Sequence, residues 1–408
     1  MWWYSLGIAA YTAAIKVAAH WNPKARLWVD GRKGIFERLH EAVGDGKRVV
    51  WIHVSSLGEF EQGRPVIEMI HERHPEYRIL LTFFSPSGYE IRKNYPAADM
   101  VFYLPADTVA NARRFLDIVR PEAAIFVKYD YWLNYLAELR RREIRTYIFS
   151  SLFRPDSVFF RPWGGAFRRA LQTFDTIFVQ NNESKRLLAG IGFDNVVVAG
   201  DTRFDRAAAL PSQAARYPLI ERFKGDKRLF IVGSSWRPDE DILIPFINNH
   251  PEIKFIVAPH EMEEPRIERL MSECRGGAVR YSRCDENSDV TSAHLMIVDV
   301  IGILNQLYQY AEWCYIGGGF GVCIHNTQEP ATYGMPIAFG PKYHKFKEAC
   351  DMIALGACRS VTTTAELEEW FAPLEADEEL RLRTSRKAAD YIAANKGATN
   401  LIVKTIFG

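Results

Sequence analysis

The sequence predicts an α/β protein built from two doubly wound parallel sheets, and three observations lead there. Short apolar runs rich in β-branched and aromatic residues recur along the chain, helix-length segments separate many of them, and the rhythm pauses once, at DTRFDRAAALPSQAARYP (201–218). Such runs are too short for most helices, and their alternation with segments of about 10 to 15 residues marks βαβ units whose sheets are buried on both faces. The chain has 408 residues, 48% of them hydrophobic, with 51 basic and 50 acidic side chains. Its length fits about two domains of roughly 100 to 200 residues each. The composition excludes a disordered, collagenous or coiled-coil chain, and the balanced charge argues against nucleic acid as a partner held by bulk charge.

Residues 1–22 come first as a membrane anchor or interfacial helix. MWWYSLGIAAYTAAIKVAAHW is apolar and aromatic apart from Lys16 and His20, and Lys24, Arg26, Arg32, Lys33 and Arg38 follow it. A cleaved signal would put its charges first and end on small residues, which this segment does not do. It only just reaches the ~20 residues needed to span a bilayer. Lying in the interface, it would use Trp2, Trp3 and Tyr4 as anchors and set the basic flank against anionic headgroups. Packing on its own domain is the third reading. In either membrane reading, the bulk of the chain faces the cytoplasm.

The first domain is expected over 23–205, with strands at 48–54, 77–84, 99–104, 122–127, 145–150, 175–180 and 195–200. The second is expected over 206–408, with strands at 228–235, 252–260, 295–300, 313–319 and 335–340 and a helical tail from about 377. Six cysteines lie in the C-terminal half with no CxxC pair, so neither a disulfide framework nor a structural zinc is expected.

In parallel sheets the residues just after each strand line the ligand crevice. In the first domain these are Ser55, Ser56, Gly58 and Glu59, then Ser85, Ser87 and Gly88, then Lys128, Tyr129 and Asp130. Glu59 either faces the crevice as a functional carboxylate or completes a capping box from Ser56 and complements the helix dipole. In the second domain, GSSWR (233–237) and APHE (258–261) follow strands, and GGGFGVCIHNTQEPATYG (317–334) is the most informative loop. Its glycines allow close approach of a ligand or a tight packing turn. A helix beginning near Gln328 would turn its N-terminal amides to a phosphate, and Glu329 in its first turn can accept two hydrogen bonds from a ribose. His325 has no second ligand at metal spacing, so a hydrogen-bonding role is expected.

Together these residues resemble the 3-deoxy-D-manno-octulosonic acid (Kdo) transferases of lipopolysaccharide assembly. HVSSLGE is similar to that family's H-x-x-S-x-G-E, FFSPSGYE to its T-x-T-x-T-G-x-x, YLPAD to its YxPxD, VAGDTRFD to its V-x-G-N-x-K-F-D, and HNTQEPATYGMPIAFGP to its HNxxEPAxxGxPxxxGP, in the same order. The resemblance implies a glycosyltransferase B architecture, two Rossmann-like domains facing a cleft. It also implies inverting transfer of Kdo from CMP-Kdo to the lipid A precursor (lipid IVA) at the cytoplasmic face of the inner membrane, with neither cofactor nor metal. Glu59 would be the general base. The donor would be held by positions matching Pro259, His260, Ile301, Gly302, Gly318, Gly319, Asn326, Thr327, Gln328 and Glu329, with Ser55, Ser56, Gly58, Lys128 and Asp130 on the acceptor side. The chain departs from the pattern at KYDYWLN, where Lys128 and Asp130 replace two glutamates and Leu133 a proline, at P-H-E (259–261), and at Cys323 and Ile324. The competing expectations are another enzyme of this architecture using a UDP- or GDP-sugar, an epimerase, or a non-catalytic nucleotide-sugar-binding protein.

Overall fold

The computed structural model describes residues 2–44 and 48–408; Met1, the first residue of the expected 1–22 segment, lies outside them. The chain forms two compact units, one running to Asp205 and including Lys396–Gly408, the other Arg206–Asn395.

The first unit carries β1 Arg48–Val54, β2 Tyr77–Phe83, β3 Met100–Tyr103, β4 Ala123–Val127, β5 Arg145–Ser151, β6 Thr176–Val179 and β7 Val196–Val198. They lie in the order β3-β2-β1-β4-β5-β6-β7, every pair parallel. Period-two alternation divides each strand between two cores: Val49 and Trp51 of β1 enter one, and Val50, Ile52 and Val54 enter the other. The chain winds outward from β1 through β2 to β3 and then returns to lay β4 on the opposite side of β1. That reversal is the topological switch point, beyond whose carboxyl ends ligands bind in such sheets.

The second unit repeats the plan with β8 Leu229–Ser235, β9 Lys254–Pro259, β10 Ala278–Arg280, β11 Leu295–Ile297, β12 Trp313–Ile316, β13 Ile337–Phe339 and β14 Cys358–Ser360. Their order is β10-β11-β9-β8-β12-β13-β14, again parallel, with the reversal between β8 and β12. Phe230, Phe246, Phe255, Trp313 and Phe371 build the core on one face of this sheet.

Two expectations need correction. The chain's last helix, Ala398–Phe407, belongs to the first unit and not to a second domain reaching residue 408. The Asp205 carboxylate accepts the N–H groups of Gly397 at 2.6 Å and Thr399 at 3.1 Å, satisfying the start of that helix. Ile402, Val403 and Ile406 then bury in the first unit's core beside Val66, Ile67 and Ile70. The second correction concerns the N-terminal helix, Trp2–Ala18, which has 17 residues. At 1.5 Å per residue that is about 26 Å, short of a ~30 Å hydrocarbon core. No helix of the described residues, this one included, is long and apolar enough to cross a membrane. The helix rests on its own unit through Tyr4, whose hydroxyl donates to Asp107 at 2.7 Å, and through Tyr11, stacked on Phe84. Trp2, Trp3 and Leu6 remain exposed.

Ile402 is fully buried. Ile402→Ala is therefore expected to destabilise the first unit by about 2 to 5 kcal/mol in urea unfolding, and a loss below about 1 kcal/mol would contradict the docking of the last helix.

Candidate active site

Ser55 leaves the carboxyl end of β1 and Asp130 follows β4, so the first switch point brings them together. The Ser55 amide donates to the Asp130 carboxylate at 3.1 Å, and the Ser55 hydroxyl donates to its other oxygen. The turn between β4 and Asp130 is made by Lys128 at φ 64°, a left-handed conformation that lysine rarely adopts. The neighbouring strand β5 holds it: Lys128 N–H donates to the Phe149 carbonyl at 2.8 Å, and the Ser151 hydroxyl donates to the Lys128 carbonyl at 3.2 Å.

Ser56 caps the helix Leu57–Arg73 in extended backbone but makes no side-chain cap bond. Its hydroxyl donates instead to the Glu59 carboxylate. The capping-box alternative is thus not formed, and Glu59 stands half-buried in the first helical turn, where free N–H groups complement negative charge. Gly58 beside it is exposed. The FFSPSG segment braces this corner. Ser85 N–H donates to the Ser55 carbonyl at 2.8 Å, and a side chain on Gly88 would meet the Phe83 ring at 2.4 Å and the Ser56 backbone at 3.1 Å.

Burial, and secondarily the negative charge of Glu59, push the Asp130 carboxyl up to about 8 against the Ser55 hydrogen bonds. His53, wholly buried on β1, places Nε2 3.9 Å from Asp130, and burial holds its imidazole down to about 3. The corner therefore holds one carboxyl with a raised proton affinity, one neutral imidazole and, in Glu59, a second carboxyl group that is only half-buried.

In the second unit, Pro259 ends β9 and His260 follows it, Ile301 and Gly302 turn after β11, and Gly318, Gly319 and Asn326 to Glu329 follow β12. These strands neighbour one another through β8. Ile301 is 92% exposed. The tight-packing alternative accounts for the triglycine. A Cβ on Gly317 would lie 2.3 Å from the Ser234 carbonyl oxygen and one on Gly319 2.6 Å from Gly340. Gly318, at φ 92°, gives its N–H to Asp239 at 2.9 Å. The helix Gln328–Thr332 is only five residues long, and the Gln328 N–H is already taken by the Asn326 side chain at 2.8 Å. The expectation of phosphate-binding amides is corrected at Gly318 and Gln328, because both donors are satisfied within the protein. Thr327 is buried at the N-cap of that helix, and Glu329 in its first turn adds to burial in pushing Tyr333 up to about 12.

Sequence reasoning gave no role to His53 and Trp236, although they lie within HVSSLGE and GSSWR, and it missed Asp239. Trp236, directly after β8, stacks on His260 with ring centroids 4.7 Å apart, and His260 stacks on His325 at 4.3 Å. Trp236 Nε1 donates to His325 Nε2 at 3.0 Å, and Asp239 also accepts from the Tyr315 hydroxyl at 2.9 Å. The available signal was position, since His53 lies near the end of a first strand and Trp236 follows another. Among the described residues no group of three or more His, Cys, Asp or Glu side chains is placed to hold a metal ion.

The Asp130 carboxyl gives a pH-dependent prediction. It ionises near pH 4 in an unfolded chain, but only near pH 8 when folded. Folding takes up a proton between these values, so this group makes stability fall as pH rises through that window. Asp130→Asn is expected to gain on the unsubstituted protein by on the order of a few kcal/mol between about pH 5 and pH 8 in urea unfolding. A stability difference that stays constant with pH contradicts the buried, protonated carboxyl.

Residues 32–206 match the family model described as 3-Deoxy-D-manno-octulosonic-acid transferase (kdotransferase). The 3-deoxy-D-manno-octulosonic acid transferase of Bordetella pertussis is 27% identical over 370 residues, covering 86% of this chain and 85% of the relative. That of Aquifex aeolicus is 24% identical over 318 residues, covering 76% and 80%. In fold, the chain is similar to the UDP-GlcNAc 2-epimerase of Neisseria meningitidis, with a TM-score of 0.62, 13% identity and coverage of 88% of this chain and 99% of that one. It is also similar to MurG of Acinetobacter baumannii, with a TM-score of 0.52, 14% identity and coverage of 88% and 99%. These structural likenesses establish the glycosyltransferase B fold. With that fold and the match over 32–206, the chain is a glycosyltransferase similar to the Kdo transferases.

Proposed function

We propose that the chain transfers Kdo from CMP-Kdo to a hydroxyl of the lipid A precursor with inversion, and that Glu59 is the general base. The observation that carries the base assignment is the contrast at the first switch point: Asp130 is buried and protonated, while Glu59 is accessible and bonded by Ser56 through Oε2. As the acceptor oxygen forms its bond to the anomeric carbon, the C–O bond to the CMP phosphate breaks and its electron pair leaves with CMP. The acceptor proton passes to Glu59. A single displacement of this kind inverts the centre through an oxocarbenium-like transition state. Asp130, holding its own proton, does not compete for the acceptor's proton, and through Ser55 it fixes the corner from which Glu59 projects.

On the donor side, the satisfied amides of Gly318 and Gln328 leave the imidazoles of His260 and His325 and the side chain of Asn326 as the groups for the phosphate, with Glu329 for the ribose. Pro259, Ile301, Gly302, Gly319 and Thr327 shape the rim. The exposed Trp2, Trp3 and Leu6 of the helix Trp2–Ala18 seat this face in the interface of a membrane, with Lys24, Arg26 and Lys33 toward anionic headgroups.

Glu59→Gln is expected to keep CMP affinity and lower the rate of Kdo transfer about 100-fold or more, measured by calorimetry and product formation. Turnover within about threefold of the unsubstituted protein removes Glu59 from the role.

A further inference from the structure

We propose that Trp236 is a positioning residue of the second unit: its indole N–H fixes the His325 imidazole as the Nδ1–H tautomer, so that the site offers a neutral hydrogen-bond donor to the anionic group bound there. The identity of that group as the donor's phosphate rests on the function proposed above; the tautomer does not.

A neutral imidazole has one N–H and one bare nitrogen, and the bond made by one nitrogen sets the state of the other. An indole nitrogen can only donate. Trp236 Nε1 lies 3.0 Å from His325 Nε2, so Nε2 is the bare nitrogen and the proton sits on Nδ1. A doubly protonated ring would set two N–H groups against each other at that distance. The surroundings leave the ring little freedom. His260 stacks on it at 4.3 Å, and the His325 backbone N–H donates to the Gly317 carbonyl at 3.1 Å. Any side chain on Gly318 would come within 2.9 Å of His325 Cδ2. Trp236 is itself held, because its backbone N–H donates to Asp239 at 2.8 Å.

The charged and titratable groups packed around this pair come from four segments. His260 follows β9 and touches the ring directly. Asp239 lies on the helix after β8 and takes the Gly318 N–H. Arg266 sits 5.9 Å over the Trp236 ring and is paired with Glu240. Lys342 follows β13, and its carbonyl accepts the Ile324 N–H at 3.3 Å. Burial and His260 together hold His325 down to about 4, in keeping with a ring that stays neutral where most histidines titrate.

The test has two arms. Nitrogen-15 NMR of the full-length protein is expected to find His325 neutral with its proton on Nδ1 from about pH 5.5 to pH 8; a proton on Nε2 overturns the inference. In the second arm, Trp236→Phe keeps the stacking ring and removes the donor. His325 then titrates at higher pH than in the unsubstituted protein. The ratio of variant to unsubstituted Kd for CMP falls several-fold from pH 8 to pH 5.5 as the freed imidazole becomes cationic beside the phosphate; using the ratio cancels the titration of CMP itself. An unchanged His325 titration, or a Kd ratio that does not move with pH, overturns the inference. If CMP does not bind the unsubstituted protein, the donor reading fails, and the NMR arm still decides the tautomer.

Discussion

The Asp130 carboxyl, bonded by both the amide and the hydroxyl of Ser55, is the interaction on which the first unit's site depends. It ties the chain leaving β1 to the chain leaving β4 at the one place in the sheet where the winding reverses. Burial makes it costly for that carboxyl to ionise, and Glu59 nearby adds to the cost, since two adjacent negative charges in a poorly solvated corner repel. The raised proton affinity of Asp130 is therefore a consequence of this one geometry. Lys128 pays in backbone strain for the turn that makes it possible, and β5 absorbs that strain through two hydrogen bonds.

The second unit uses the same topology with different chemistry. Across β8 and β12 the linking bond is indole to imidazole instead of carboxyl to serine, and the neighbouring carboxylate, Asp239, is spent on holding the glycine loop. One sheet thus ends in two carboxyl groups and their serines, the other in two imidazoles and an indole.

Much of this was legible in the amino-acid order. Twelve of the fourteen strands of the described residues are contiguous apolar runs, and that the chain leaves β1, β4, β9 and β12 where the candidate residues stand followed from position alone. The two strands missed, AVR at 278–280 and CRS at 358–360, are three-residue edge strands without an apolar run to announce them. The return of the last helix could not be read because it depends on Asp205 meeting Gly397, groups 192 residues apart in the chain. The triglycine misled for a related reason. Glycine is required equally by a ligand's approach and by a neighbouring backbone, and only the positions of Ser234 and Gly340 distinguish the two. Trp236 and His53, though inside the quoted segments GSSWR and HVSSLGE, were given no role because an aromatic side chain or a lone histidine at the end of a strand is ordinary core material until its partner across the switch point is known.

The central claim is that these two switch points serve one transfer, from CMP-Kdo to the hydroxyl of an anionic glycolipid. The most direct measurement is mass analysis of the glycolipid after the full-length protein is incubated with CMP-Kdo and the lipid A precursor. The account predicts acceptor molecules heavier by one or more Kdo residues, with CMP released in equal amount. Unmodified acceptor alongside intact CMP-Kdo, or CMP released with free Kdo only, would contradict it.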